Sequence, residues 1–140
     1  MAQTIREVMT AEPRCVERDA SLVEAARAMR EVDAGDVLVV DGGKLCGIVT
    51  DRDIAIRAVA DGRDPNETKV GDVCTAQVET LTPDASVDDA IRIMREHDVR
   101  RIPVVEDGGR PAGIVSIGDL AVANDEESVL ADISSAPPDK

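Results

Sequence analysis

Gly47-Ile48-Val49-Thr50-Asp51-Arg52-Asp53-Ile54 has an echo later in the chain, Gly113-Ile114-Val115-Ser116-Ile117-Gly118-Asp119-Leu120. Each stretch reads glycine, two β-branched apolar residues, a hydroxyl, two variable positions, aspartate, then an aliphatic. The apolar run predicts a buried strand, and the spacing that follows predicts a helix. The hydroxyl therefore falls where the strand ends and the aspartate in the first helical turn. A helix start presents unpaired N–H groups and partial positive charge, which suit an anion such as phosphate. A carboxylate one turn away can accept hydrogen bonds from two neighbouring hydroxyls, as on a ribose. The same residue types are also the favoured N-cap and first-turn residues of helices, so a single copy reads as a cap. The repetition at one spacing shifts the balance towards a ligand.

Working outward, the repeat extends through most of the chain. Val8, Thr10, Ser21, Ala25, Met29 and Val39 recur 65 positions later as Val73, Thr75, Ser86, Ala90, Met94 and Val104. From Gly47 and Gly113 onward the offset is 66, and the Asp107-Gly108-Gly109 turn holds the extra residue. With only two copies, the pattern describes an internal pair and not a solenoid. Each copy reads strand–helix–strand–strand–helix, a mixed α/β fold.

In the first copy, Met1 to Thr10 is a lead-in with Ile5, Val8 and Met9 at helical spacing. Ser21 and Glu24 form a capping-box pattern. Leu22, Ala25, Ala26, Met29 and Val32 line the predicted inner face, and Gly35 ends the helix. Val37–Val40 and Leu45–Val49 are strands around an Asp41-Gly42-Gly43 turn. The next helix turns Ile54, Ala55, Ala58 and Val59 inward and stops near Gly62. The chain divides into residues 1–62, a first unit with its lead-in; 63–69, a polar linker; 70–123, a second unit; and 124–140, an acidic tail expected to be partly disordered. In that tail Val129, Leu130 and Ile133 suit a short helix against the body.

Composition narrows the function. The 140 residues include no Phe, Tyr or Trp, so the core is aliphatic and no aromatic platform exists for stacking nucleic-acid bases. A formal net charge of −13 repels phosphate backbones and anionic membranes, which argues against nucleic-acid and membrane binding. Cys15, Cys46 and Cys74 are odd in number and scattered, which suits buried thiols in a reducing compartment. A Cys15–Cys46 bridge stays open at this stage, because both flank strand-like segments. No Cys/His cluster has metal-ligand spacing, and His97 is the single histidine. The start of the sequence lacks an apolar signal region and no run approaches membrane-spanning length, so a cytoplasmic protein is expected.

The repeated unit resembles the cystathionine-β-synthase (CBS) domain. The resemblance rests on Val8-Met9-Thr10, the Asp-Ala-Ser-Leu helix opening, helices ending near Met29 and Met94, the strand Arg101-Ile102-Pro103-Val104-Val105, and the closing Gly-Ile-Val-Thr/Ser-x-x-Asp. It covers about Thr4 to Ala123. The Asp51 to Pro65 stretch is similar to that of stand-alone bacterial proteins made of one CBS pair. The resemblance implies two units packed through their sheets about a pseudo-twofold axis, and a flat homodimer of two such pairs. It implies clefts for AMP, ADP, ATP or S-adenosylmethionine, with magnesium accompanying ATP and no resident cofactor. Carried over, Thr50 and Asp53 serve one site and Ser116 and Asp119 the other, at ribose and phosphate. Gly47 and Gly113 let backbone approach closely, and Val37, Leu38, Ile102 and Pro103 border the base.

The two copies differ. Leu38 stands where the second copy has Pro103, and Gly35-Asp36 where it has Arg100-Arg101. Arg100, Arg101 and Arg52 are phosphate candidates, since guanidinium binds phosphate bidentately. Met29 and Met94 read as core, and His97 as a cap at a helix end, where the dipole favours a cation. No Ser/His/Asp or Cys/His arrangement, Walker loop or dinucleotide fingerprint is legible, so no enzyme is expected. The expectation is a regulatory sensor of adenine nucleotides acting on an unidentified protein partner. The alternative is an interaction module with empty sites, working through its acidic surface.

Overall fold

The computed structural model describes residues 3–124. In chain order the elements are α1 (Ile5–Val8), β1 (Thr10–Ala11), β2 (Cys15–Glu17), α2 (Leu22–Val32), β3 (Asp36–Asp41), β4 (Lys44–Thr50), α3 (Asp51–Ile54), α4 (Val87–His97), β5 (Arg101–Val105), β6 (Pro111–Ser116) and α5 (Ile117–Asn124). A wider π turn, Ala55–Val59, continues α3, and Val70–Asp72 forms a short 3-10 turn. Mixed helix and strand is thus the observed class. The acidic tail and its expected short helix lie outside the described residues.

The chain forms two compact units, Pro13–Val78 and Met1–Glu12 with Glu79–Lys140. This division differs from the sequence reading, which kept the lead-in with the first copy. The lead-in instead completes the second copy's unit. Thr10 and Ala11 pair with Ile114 and Gly113 on the edge of β6, and Ile5 N–H donates to Ala85 O at 2.9 Å. The equivalent stretch of the second copy completes the first copy's unit: Ile48 and Thr75 exchange N–H···O bonds of 3.0 and 2.9 Å. A strand edge leaves N–H and C=O groups unpaired, and in each unit a lead-in segment satisfies them.

In the unit Pro13–Val78 the sheet order is β2-β3-β4, with β2 parallel and β4 antiparallel to β3. Val37 and Val39 point to the α2 side and join Leu22, Ala25, Ala28, Met29, Val49 and Ala58 in one core. Alternation along a strand puts Leu38 and Val40 on the other face, where both are also buried. In the second unit β5 and β6 form the hairpin, and Ile5, Leu81, Ala90, Met94, Ile102, Val104, Val115 and Leu120 form the core.

Local chemistry explains the boundaries. Ser21 and Ser86 cap α2 and α4 by accepting from Glu24 N–H and Asp89 N–H at 3.2 and 3.1 Å. Asp33 and Asp98 close the two helices in the left-handed conformation at φ 54° and 53°. The expected stop at Gly35 therefore comes two residues early. Gly35 instead lies against the Asp51 carboxylate, where a Cβ would stand 3.0 Å from Oδ2. The β3–β4 hairpin turns on Gly42 and Gly43, both at positive φ, as a two-residue loop requires. The β5–β6 hairpin turns at Asp107–Gly109, with Gly108 and Gly109 at positive φ, and there the repeat gains its extra residue.

Some inner-face assignments shift. Ala26 is exposed and Ala28 takes its place, while Val32 is 44% exposed. Ala55 and Val59 also face outward, Val59 at 64% exposure, and Ala58 is the buried residue of that turn. A π turn advances the chain by more residues per turn than an α-helix, so a 3.6-residue template misplaces its face.

Candidate functional site

The two stretches that opened the sequence form matched strand-to-helix corners. β4 ends at Thr50 and α3 begins at Asp51; β6 ends at Ser116 and α5 begins at Ile117. At the first corner Thr50 N–H donates to Asp53 Oδ2 at 3.0 Å, and Asp53 N–H donates to Thr50 Oγ1 at 3.0 Å. At the second, Ser116 N–H donates to Asp119 Oδ2 at 2.9 Å and Asp119 N–H to Ser116 Oγ at 3.1 Å. Both are reciprocal capping boxes. The hydroxyl and one carboxylate oxygen are engaged in holding the corner, and Oδ1 is the oxygen that points outside the box.

The surroundings of Oδ1 differ between the corners. Arg57 Nε stands 3.7 Å from Asp53 Oδ1, and the Asp53 side chain is 12% exposed. The same guanidinium donates from Nη1 to Val73 O and Cys74 O at 3.3 and 3.4 Å. Asp119 has no ion pair among the described residues, and at the position matching Arg57 the second copy has Ala123. The sequence reading passed over Arg57. The signal was there: a basic residue four positions after one repeated aspartate and an alanine after the other.

Strand pairing places the other candidates. Arg101 lies opposite Ser116 in the β5–β6 ladder, and Ile117 N–H donates to Arg100 O at 2.8 Å. At the first corner Asp36 lies opposite Thr50, and Asp51 N–H donates to Gly35 O at 2.9 Å. A basic pair thus flanks the second corner through its own hairpin, and an acid flanks the first. Arg52 is exposed on α3. Val37 and Ile102 are buried within the two cores, so their side chains are spent on packing. Leu38 and Pro103, on the opposite sheet faces, are likewise buried. At Gly47 and Gly113 the backbone that approaches closely is the protein's own. A Cβ on Gly47 would stand 2.6 Å from Thr75 O, and one on Gly113 2.7 Å from Thr10 O.

In the second unit a cavity of about 490 Å³ opens between α4 and α5, floored by Met94 and Leu120 and edged by Arg95, Asp98 and Arg100. All three cysteines are free thiols. β3 lies between the strands carrying Cys15 and Cys46. Two strand spacings, about 9–10 Å, exceed the reach of a disulfide, which settles the bridge left open above. Burial raises all three thiols above their ordinary range; Glu17 adds to this at Cys15, and Cys46 and Asp53 add to it at Cys74. His97 ends α4, with Nε2 3.7 Å from Glu79 Oε1. Among the described residues no helix is long and apolar enough to cross a membrane.

Comparison with known proteins places the chain in a family. Residues 5–59 and 70–126 each match the family described as CBS domain. The CBS domain-containing protein YhcV of Bacillus subtilis is 39% identical over 119 residues, covering 85% of this chain and 84% of that protein. The crystal structure of Hypoxic Response Protein I with two coordinated zinc ions is 38% identical, with TM-score 0.78, over 85% of this chain and 97% of that one. The CBS domain pair of protein MJ0100, solved with 5′-methylthioadenosine and S-adenosyl-L-methionine, is 27% identical with TM-score 0.79, over 91% of this chain and 100% of that one. Among the described residues no group of three or more His, Cys, Asp or Glu side chains is placed to hold a metal ion.

Proposed function

The chain belongs to the CBS-domain family, as a tandem pair, and from that premise we propose that it is a regulatory module that binds adenosine-containing ligands at its two Thr/Ser–Asp corners. One observation carries the reading: the corner occurs twice, each time with one aspartate oxygen locked in the cap and the other outside it. Locking Oδ2 fixes the direction of Oδ1 before any ligand arrives. A pre-set acceptor suits the vicinal hydroxyls of a ribose, because little order remains to be imposed on binding. The pair of protein MJ0100, with its adenosine-containing ligands, supports the ligand class. The Arg100-Arg101 pair beside Ser116 favours a phosphate-bearing ligand at the second corner.

As a sensor the chain needs no catalytic group. A ligand that binds one conformation better than another shifts the population, and the shift is the output. The exposed apolar Ile56 and Val59 after α3, and Ile117 on α5, are side chains that a homodimer would cover. Three free cysteines fit a reducing, cytoplasmic setting.

The test is a calorimetric melt with AMP, ADP, ATP, S-adenosylmethionine and GTP in turn. At a hundred times its dissociation constant a ligand stabilises the fold by about 2.7 kcal/mol. A shift with adenosine ligands and none with GTP is expected. Absence of any shift would transfer the reading to an interaction module with empty sites, and turnover of ATP would make the chain an enzyme.

A further inference from the structure

We propose that Arg57 makes the two corners unequal, so that the Asp119 corner is the tighter ribose site and the Asp53 corner the weaker, Arg57-gated one. The inference rests on the ribose-binding reading above and goes beyond it in ranking the sites and naming the residue responsible.

The backbone chemistry of the two corners is the same to within 0.1 Å in each of the two bonds. What differs is the oxygen left over. A ribose hydroxyl approaching Asp53 Oδ1 meets an acceptor already facing the Arg57 guanidinium at 3.7 Å. That guanidinium is not a loose surface charge. It also donates to Val73 O and Cys74 O, so moving it aside gives up contacts on the segment that closes the edge of β4. A ligand at Asp53 must therefore share the oxygen with a cation held by three acceptors, or displace that cation. At Asp119 the matching residue is Ala123, which has no donor to compete. The hydroxyl and the cation both seek one carboxylate oxygen, and the competition lowers affinity at the first corner alone. It also means that filling the first corner pulls on Val73 and Cys74, whereas filling the second has no such lever.

The test is isothermal titration of the full chain with AMP, using wild type and the variants Asp119→Asn, Arg57→Gln, Arg57→Lys and Asp119→Asn/Arg57→Gln. Wild type is expected to show a tight and a weak step, and Asp119→Asn to remove the tight one. On that background Arg57→Gln is expected to tighten the remaining step by about three- to fivefold, the range of a half-exposed ion pair. Arg57→Lys, which keeps the charge, is expected to restore the weak affinity. A merely structural Arg57 would lower the ligand-free melting temperature and leave the weak step unchanged or weaker, which would overturn the proposal. Equal affinities in wild type, or loss of the tight step in Asp53→Asn, would overturn it too. If wild type binds no adenosine ligand, the ribose reading itself fails; binding with an unmoved Arg57→Gln series leaves that reading standing and removes only this one.

Discussion

Thr75 O lies 2.6 Å from the place a Cβ on Gly47 would occupy, and it is the acceptor of the Ile48 N–H bond at 3.0 Å. The glycine is thus the seat of the segment that seals the β4 edge. Its counterpart, Gly113, seats Thr10 O and the Met9 side chain in the same way. Because the close atom at Gly47 is backbone held by the Ile48–Thr75 bridge, it cannot yield as a flexible side chain would.

Gly47→Ala should therefore destabilise the protein by about 1–3 kcal/mol, the usual range for forcing an extra methyl into a packed site. Urea denaturation followed by circular dichroism measures it. Gly42→Ala is a steric contrast, since nothing lies within 4 Å of its Cβ position, although its φ of +63° carries a conformational cost. Loss of less than about 0.5 kcal/mol in Gly47→Ala would mean that the Thr75 segment is not seated there.

The caps give a second prediction. Thr50→Ala and Ser116→Ala each remove the acceptor for an aspartate N–H. Each should cost about 1 kcal/mol, and the double variant about twice that, because the corners belong to separate units. A double variant as stable as either single one would contradict the assignment of both hydroxyls as caps.

Much of this was readable in advance, and the exceptions have physical causes. The strands, the cap at Ser21 and the paired Thr/Ser–Asp corners follow from local pattern, and the repeat carries the cap over to Ser86. The exchange of lead-in segments was not, since Thr10 and Ile114 are joined by long-range pairing that no local period records. The glycines at 47 and 113 mark positions without a side chain, but sequence does not say what approaches them. The burial of Val37 and Ile102 follows from strand alternation. Ala55 and Val59 were misplaced because the helix widens into a π turn.

The thiols predict the alkaline behaviour. Burial raises Cys15, Cys46 and Cys74 in the folded state above their unfolded values. A group whose folded pKa is raised holds its proton better when folded, so its contribution is complete below the unfolded thiol value, about 8.5, and is lost above it. The melting temperature should fall as pH rises from about 8.5 through the raised folded values, and Cys74→Ala should lessen the slope. The same burial predicts slow alkylation at pH 7.5 that becomes fast in urea. Alkylation at equal rates with and without urea would show the thiols to be open.

Asp119→Asn separates the cap from the ligand role. An asparagine side-chain oxygen can still accept from Ser116 N–H, so the box that fixes the β6–α5 corner survives. The negative charge that strengthens a bond from a ribose hydroxyl does not. The variant should therefore melt within about 1 kcal/mol of wild type without ligand, yet lose most of the stabilisation that an adenosine ligand confers at the tighter corner. Asp53→Asn should lose less, since the Arg57 guanidinium already stands 3.7 Å from that oxygen. Calorimetric melts with and without AMP distinguish the cases. If Asp119→Asn kept the full ligand shift, the aspartate would be a cap and nothing more, and the repeated corner would owe its two copies to helix initiation alone.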